Sequence, residues 1–163
     1  MTLIDVGQGD AVLAQFPGGA AMLVDGGGVA GRFDIGDRVV TPAIWALGVR
    51  RLDWVVMTHP DLDHAGGLPS VVRALRPREV WEGVSVATAR EWRSLRQASA
   101  SGRTTWGQVQ PGDRMEIGQV EILVAHPALP DWERRRTRND DSVVLRIRYG
   151  EVEFVLPGDI GSE

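Results

Sequence analysis

Apolar and polar positions change period several times along the chain, and each change marks an element. Three short apolar runs come first, Thr2 to Val6, Ala11 to Gln15 and Ala20 to Val24, separated by Gly7-Gln8-Gly9-Asp10 and Pro17-Gly18-Gly19. Such runs, broken by glycine turns, predict a β-meander. The third run ends on Asp25-Gly26-Gly27-Gly28. Residues 37–47 take helical spacing; Pro42 is tolerable only in a first turn and Gly48 is a stop, so the helix is expected to begin near Thr41. Leu52 to Met57 reads as a buried strand, and residues 67–75 return to helical spacing. Val80-Trp81 is the centre of a brief strand. Ala87 to Ala100 predicts a second helix, with Trp92, Leu95 and Ala98 or Ser99 as its apolar stripe and Arg90, Arg93 and Arg96 facing away. A solvated arginine face is the default there and a binding surface the alternative. Further strands are expected over 104–109, 114–117, 120–125, 143–149 and 152–156, the last delivering Gly158-Asp159 at its end. No repeat or linker divides residues 1–163, which predicts one domain of sheets with helices packed outside.

Composition narrows the chemistry. At 163 residues the chain can build one real core, and 43% hydrophobic with 25% charged residues is ordinary for a soluble domain. There is no apolar run of about 18 residues and no signal-peptide pattern. The absence of cysteine excludes disulfides and thiolate ligands, leaving His, Asp, Glu and Asn as candidate metal ligands. A net charge of −4 argues against a strongly electrostatic nucleic-acid binder. It does not exclude a nuclease, because bound divalent ions would offset acidic ligands. All 18 basic residues are arginine, the side chain suited to bidentate phosphate contact.

The candidate site is Thr58-His59-Pro60-Asp61-Leu62-Asp63-His64-Ala65-Gly66-Gly67, which holds two of the three histidines, interleaved with two carboxylates, on a strand-to-helix loop. Extended backbone would point His59, Asp61 and Asp63 the same way, with His64 turned toward a second metal position. Asp25 beside its glycines is open between a ligand, a hydrogen-bond anchor for the metal loop and a turn residue, the anchor being placed first. His126, before Pro127, reads more simply as a packed or capping histidine than as a ligand. Trp132 and Arg134 to Arg138 could stack a base and clamp phosphates, or form an exposed loop whose arginines meet only water.

With these pieces in order the chain resembles the metallo-β-lactamase superfamily, and within it the C-terminal nuclease-like domain of the ComEC family of competence DNA-uptake proteins. The resemblance rests on Ile4 to Ala11 (IDVGQGDA), Leu23-Val24-Asp25, Ala46-Leu47-Gly48 with Arg51-Leu52-Asp53, the THPDLDHAGGL run, Asn139 to Leu145 (NDDSVVL) and Leu156 to Ile160 (LPGDI). It implies an α+β fold, an αββα sandwich, here shortened at its C-terminal end because the superfamily's last motif lies beyond Asp159 and the chain stops at Glu163. The family pattern HxHxDH is met at His59, Asp63 and His64, with Asp61 in place of its second histidine. That carboxylate makes manganese as plausible as zinc.

The resemblance further implies two divalent metal ions, zinc or manganese, and no small-molecule cofactor. His59 and Asp61 would hold the first ion, Asp63 and His64 the second; Asp159 would bridge them and Asp63 would orient the attacking hydroxide. Asp25 would support the ligands from behind. Asn139 and Ser142 would contact substrate, single-stranded DNA, and the reaction would be phosphodiester hydrolysis. A parent membrane channel, with this domain on the extracytoplasmic side of a bacterial inner membrane, is expected if the chain is part of a longer one. Two rivals stay open: a hydrolase of small esters or phosphodiesters, and a non-catalytic DNA- or partner-binding module.

Overall fold

Ala21–Val24 and Trp54–Met57 are apolar at every position, a pattern that suits strands covered on both faces. The computed structural model describes residues 1–100, 102–128 and 134–161, and sets these two runs side by side in the middle of a six-stranded sheet. Its strands lie in chain order: β1 (Thr2–Leu3), β2 (Val12–Gln15), β3 (Ala21–Val24), β4 (Trp54–Met57), β5 (Glu79–Glu82) and β6 (Thr105–Gln108). The first three form the expected antiparallel meander, and β3 to β6 are parallel. Parallel neighbours need crossovers. These are a π-helical turn (Gly36–Val40) running into α1 (Thr41–Ala46), then α2 (Leu62–Ala65) with α3 (Leu68–Leu75), then α4 (Arg90–Ala100). A second, antiparallel sheet holds β7 (Arg114–Ile117), β8 (Val120–His126), β9 (Val144–Tyr149) and β10 (Val152–Leu156) in the order β10-β9-β8-β7.

Alternation along β4 divides the interior into two cores. Val55 and Met57 face the helices and pack with Ile44, Leu68, Val71, Leu75 and Leu95. Val56 faces the other way, into the space between the sheets, with Met22, Trp81, Ile122, Leu145 and Ile147. Each such fully buried side chain contributes about 1.5–3 kcal/mol. The outer face of the second sheet carries ion pairs, Arg114 and Arg148 on Glu121 and Arg146 on Glu153, with no helix over it among the described residues. The helix, sheet and sheet layers of an αββα sandwich are therefore present among the described residues.

The local differences have physical causes. Leu62–Ala65 is helical rather than extended, so Asp63 lacks the extended geometry expected of it while Asp61, just before the helix, keeps it. The second helix starts at Arg90, not Ala87. Trp92 on α4 is half-buried rather than part of a purely apolar stripe. Its indole N–H donates to Glu82 Oε2 at 2.5 Å while Trp106 donates to Oε1 at 2.7 Å, which pins α4 over the ends of β5 and β6. Arg96, expected in a solvated face, stacks on both indoles, 5.3 and 4.5 Å from the ring centroids.

Candidate metal centre

The parallel strands β3 and β4 end beside one another, and their ends carry the site, as open parallel sheets generally arrange. Just past β3, Asp25 turns the chain with φ 58°, a left-handed conformation uncommon outside glycine. The three glycines after it are needed for close approach. A Cβ at Gly28 would overlap the carbonyl oxygen of Leu62, and one at Gly67 that of Gly26. The β3 loop thus lies flat on α2, held by Gly26 N–H donating to His64 O and Gly67 N–H to Gly27 O, both at 2.8 Å.

Asp25 is buried and accepts three hydrogen bonds: from Thr58 N–H at 2.8 Å, from Thr58 Oγ1 at 2.7 Å and from His64 Nδ1 at 2.8 Å. With its proton held on Nδ1, His64 turns Nε2 toward Asp159, 3.2 Å from Oδ1. His59 is oriented in the same manner by hydroxyls. Its Nδ1 lies 3.0 Å from Thr58 Oγ1 and 3.3 Å from Ser142 Oγ, and since Thr58 donates to Asp25, Nδ1 is the donor to these oxygens. His59 Nε2 is then a lone-pair nitrogen, buried and without a hydrogen-bond partner. A buried polar atom left bare costs about 1–3 kcal/mol, so an orphan at this place signals a missing ligand.

The two imidazoles sit 4.3 Å apart between centroids, and ligand atoms of His59, His64 and Asp159 all lie within 4.8 Å of one another. Asp61 Oδ2 is 3.7 Å from His59 Nε2, and Asp63 Oδ2 accepts from Gln8 Nε2 at 3.3 Å. The donor set is nitrogen and carboxylate oxygen, which fits a hard or borderline divalent ion. The fit is good on both counts, an unpartnered nitrogen and an excess of carboxylates over buried cations.

Ser142, expected at substrate, is fully buried; its hydroxyl sits between His59 Nδ1 and the backbone N–H of Asp159, 3.3 Å from each, where it positions both. Asn139 is exposed at the start of a 3₁₀ turn, Asn139–Asp141, outside the convergent group. His126 Nδ1 contacts Ser142 O at 3.0 Å and props that turn, as a packed histidine does. Arg134 pairs with Asp141, and Trp132 lies outside the described residues.

Two contributions were not foreseen. Thr58 links Asp25 to His59, and the Gly7–Asp10 loop reaches the centre. A Cβ at Gly9 would overlap the carbonyl oxygen of Asp63, so glycine lets this loop press against α2. Partial burial raises the Asp10 carboxyl above its usual range; the nearby His64 charge opposes this, while those of Asp25, Asp159 and Asp63 add to it. The GQGD sequence was the available signal, since two glycines around a polar pair mark a loop built for contact.

Burial works against charge on His64, but the Asp25 hydrogen bond and the charges of Asp25, Asp159 and Asp63 outweigh it and lift its pKa to about 9. Burial and the His64 charge push His59 down. In metal-free protein the stability contributed by His64 is fully present below its unfolded pKa of about 6.5 and is lost as pH rises through about 9. The melting temperature of chelator-treated protein should therefore fall across that window, while divalent-metal affinity rises as Nε2 sheds its proton. A flat melting profile between those pH values would contradict the Asp25–His64 pairing.

The three layers end in an Asp-supported His–His–Asp cluster able to hold a divalent ion, and the model of the metallo-beta-lactamase superfamily matches residues 4–163: the chain belongs to that superfamily. Within it, two competence proteins are similar over the whole chain. ComE operon protein 3 of Bacillus subtilis (strain 168) is 25% identical over 99% of this chain and 22% of its own length. Competence protein ComA of Neisseria gonorrhoeae is 34% identical over 100% of this chain and 20% of its own. The chain thus spans about a fifth of the length of these relatives. Among solved structures, a Cronobacter sakazakii metallo-beta-lactamase with a HARLDQ motif superposes with a TM-score of 0.60 at 17% identity, over 91% of this chain and 55% of that one, a likeness of fold. Among the described residues no helix is long and apolar enough to cross a membrane.

Proposed function

We propose that this chain is a metal-dependent phosphodiesterase whose substrate is DNA. The observation that carries the reading is the buried, unpartnered Nε2 of His59 facing His64 Nε2 and Asp159 across a gap of ligand size. His59, His64 and Asp159 would hold a divalent ion, with Asp61 and Asp63 at hand for a second. Such ions supply Lewis-acid stabilisation of the phosphoryl oxygens and a water of lowered pKa.

The chain's own residues do the rest. Asp25 keeps a proton on His64 Nδ1, and Thr58 and Ser142 keep one on His59 Nδ1, so Nε2 is the nitrogen each histidine offers the ion, His64 once it has shed its second proton. Ser142 ties the Asp159 backbone to the same hydroxyl. Gln8, 3.3 Å from Asp63 Oδ2, holds that carboxylate at the open side of the site, where it orients the attacking water. The competence relatives favour DNA as the diester, and by that analogy the domain acts beside a membrane channel, outside the cytoplasm.

End-labelled single- and double-stranded DNA, incubated with manganese or zinc, tests the reading. Cleavage that requires the metal and vanishes in Asp63→Asn is the expected result. Turnover of bis(p-nitrophenyl) phosphate with DNA left intact would instead favour a small-diester hydrolase, and no turnover of either with metal bound would leave a binding module.

A further inference from the structure

At the opposite ends of the parallel strands lies a cleft of about 680 Å³ whose lining includes Arg50, Arg51, Arg73, Arg76 and Arg103 and no carboxylate. Three separate segments supply these arginines: the α1–β4 connection, the end of α3 and the α4–β6 connection. They are pinned together by hydrogen bonds: Leu52 N–H donates to Leu75 O, and the Thr104 hydroxyl donates to Pro77 O at 2.8 Å.

Arg78 sits on Asp53 and Arg146 on Glu153. Arg73 donates to Ser70, but Arg50, Arg51, Arg76 and Arg103 have no acidic partner among the described residues. The ends of α3 and α4 supply about half a negative charge each, which leaves most of the five positive charges uncompensated. The neighbouring depression along α3 and α4 differs, since its lining holds Asp34 and Glu91 as well as Arg73 and Arg90. A concentration of guanidiniums with no acid among them, in a chain of net charge −4, makes the cleft locally attractive to anions.

We infer that this cleft binds the phosphate backbone of a nucleic-acid strand, remote from the metal centre. Strand β4, four residues or about 13 Å of extended chain, lies between the cleft's end of the sheet and the metal centre's, so both ends are within the length of one oligonucleotide. Arginine suits phosphate through its planar fork of donors. The concave shape fits a strand better than a membrane surface, and none of the large exposed apolar side chains lines the cleft. The choice of nucleic acid as the polyanion rests on the phosphodiesterase reading; the anion site does not.

The test compares the parent with an Arg50→Gln, Arg51→Gln, Arg103→Gln variant, both as the full chain. Binding of a fluorescent 20-nucleotide single strand is followed in chelator across a salt series, and bis(p-nitrophenyl) phosphate turnover is measured separately with metal. The variant should bind about tenfold or more weakly at low salt, with the slope of log affinity on log salt reduced by about 2 for three lost phosphate contacts, and should turn over the small diester normally. Equal oligonucleotide affinity in the two proteins overturns the proposal. So does arginine-dependent pelleting with phosphatidylglycerol vesicles in the absence of strand binding, or pyrophosphate binding as tight as that of the strand. Failure of the phosphodiesterase reading would show as absent small-diester turnover in both proteins, a different readout.

Discussion

Asp25→Ala should lower the stability of the metal-free protein by about 3–5 kcal/mol, the usual consequence of stripping one partner from a buried ion pair. Three donors lose their acceptor at once: Thr58 N–H, Thr58 Oγ1 and His64 Nδ1. His64 would be left buried beside no firm counter-ion, since Asp159 is more than a third exposed. At about 2–4 °C per kcal/mol for a domain of this size, thermal denaturation in chelator should shift down by about 10 °C or more. Asp25→Asn is the informative companion. It keeps an acceptor for Thr58 but loses the charge facing His64, so it should retain more stability while metal affinity falls about 10–100-fold. Melting within a degree or two of the parent for Asp25→Ala would mean that the carboxylate supports nothing.

His59→Ala should have the largest effect on activity with the smallest on folding. Its Nε2 has no hydrogen bond to lose, and its Nδ1 partners, Thr58 and Ser142, keep Asp25 and the Asp159 backbone as alternatives. Metal-dependent turnover should fall below detection while the melting temperature in chelator stays within a few degrees of the parent. Retained turnover with bound metal would remove His59 from the ligand set.

The local half of this architecture was legible. The apolar runs marked β3 and β4, and the interleaved His and Asp residues marked the site, because both signals lie within a few consecutive positions. The anchoring role of Asp25, which meets His64 across 39 positions, was legible in the glycines beside it. What escaped is held together over distance: His59 meets Ser142 across 83 positions, from the end of one sheet to the connection entering the other. Ser142 reads as a polar residue in a loop, with nothing local to show that it is sealed beneath His59. The helical turn Leu62–Ala65 was hidden by its short length, and it rotates Asp63 and His64 away from the extended alternation expected of them. Arg96 shows the same limit, since its indole partners Trp92 and Trp106 belong to different elements. The arginine cleft is legible only in three dimensions, being assembled from three connections that each carry one or two unremarkable charges.

The most direct measurement is anomalous diffraction from crystals of the parent chain and of His59→Ala grown with manganese or zinc. In the parent, an anomalous peak should lie about 2.0–2.2 Å from His59 Nε2, His64 Nε2 and a carboxylate oxygen of Asp159, and it should be lost or weakened in the variant. A well-ordered parent crystal with no peak between these three side chains, or with metal bound elsewhere, would contradict the account.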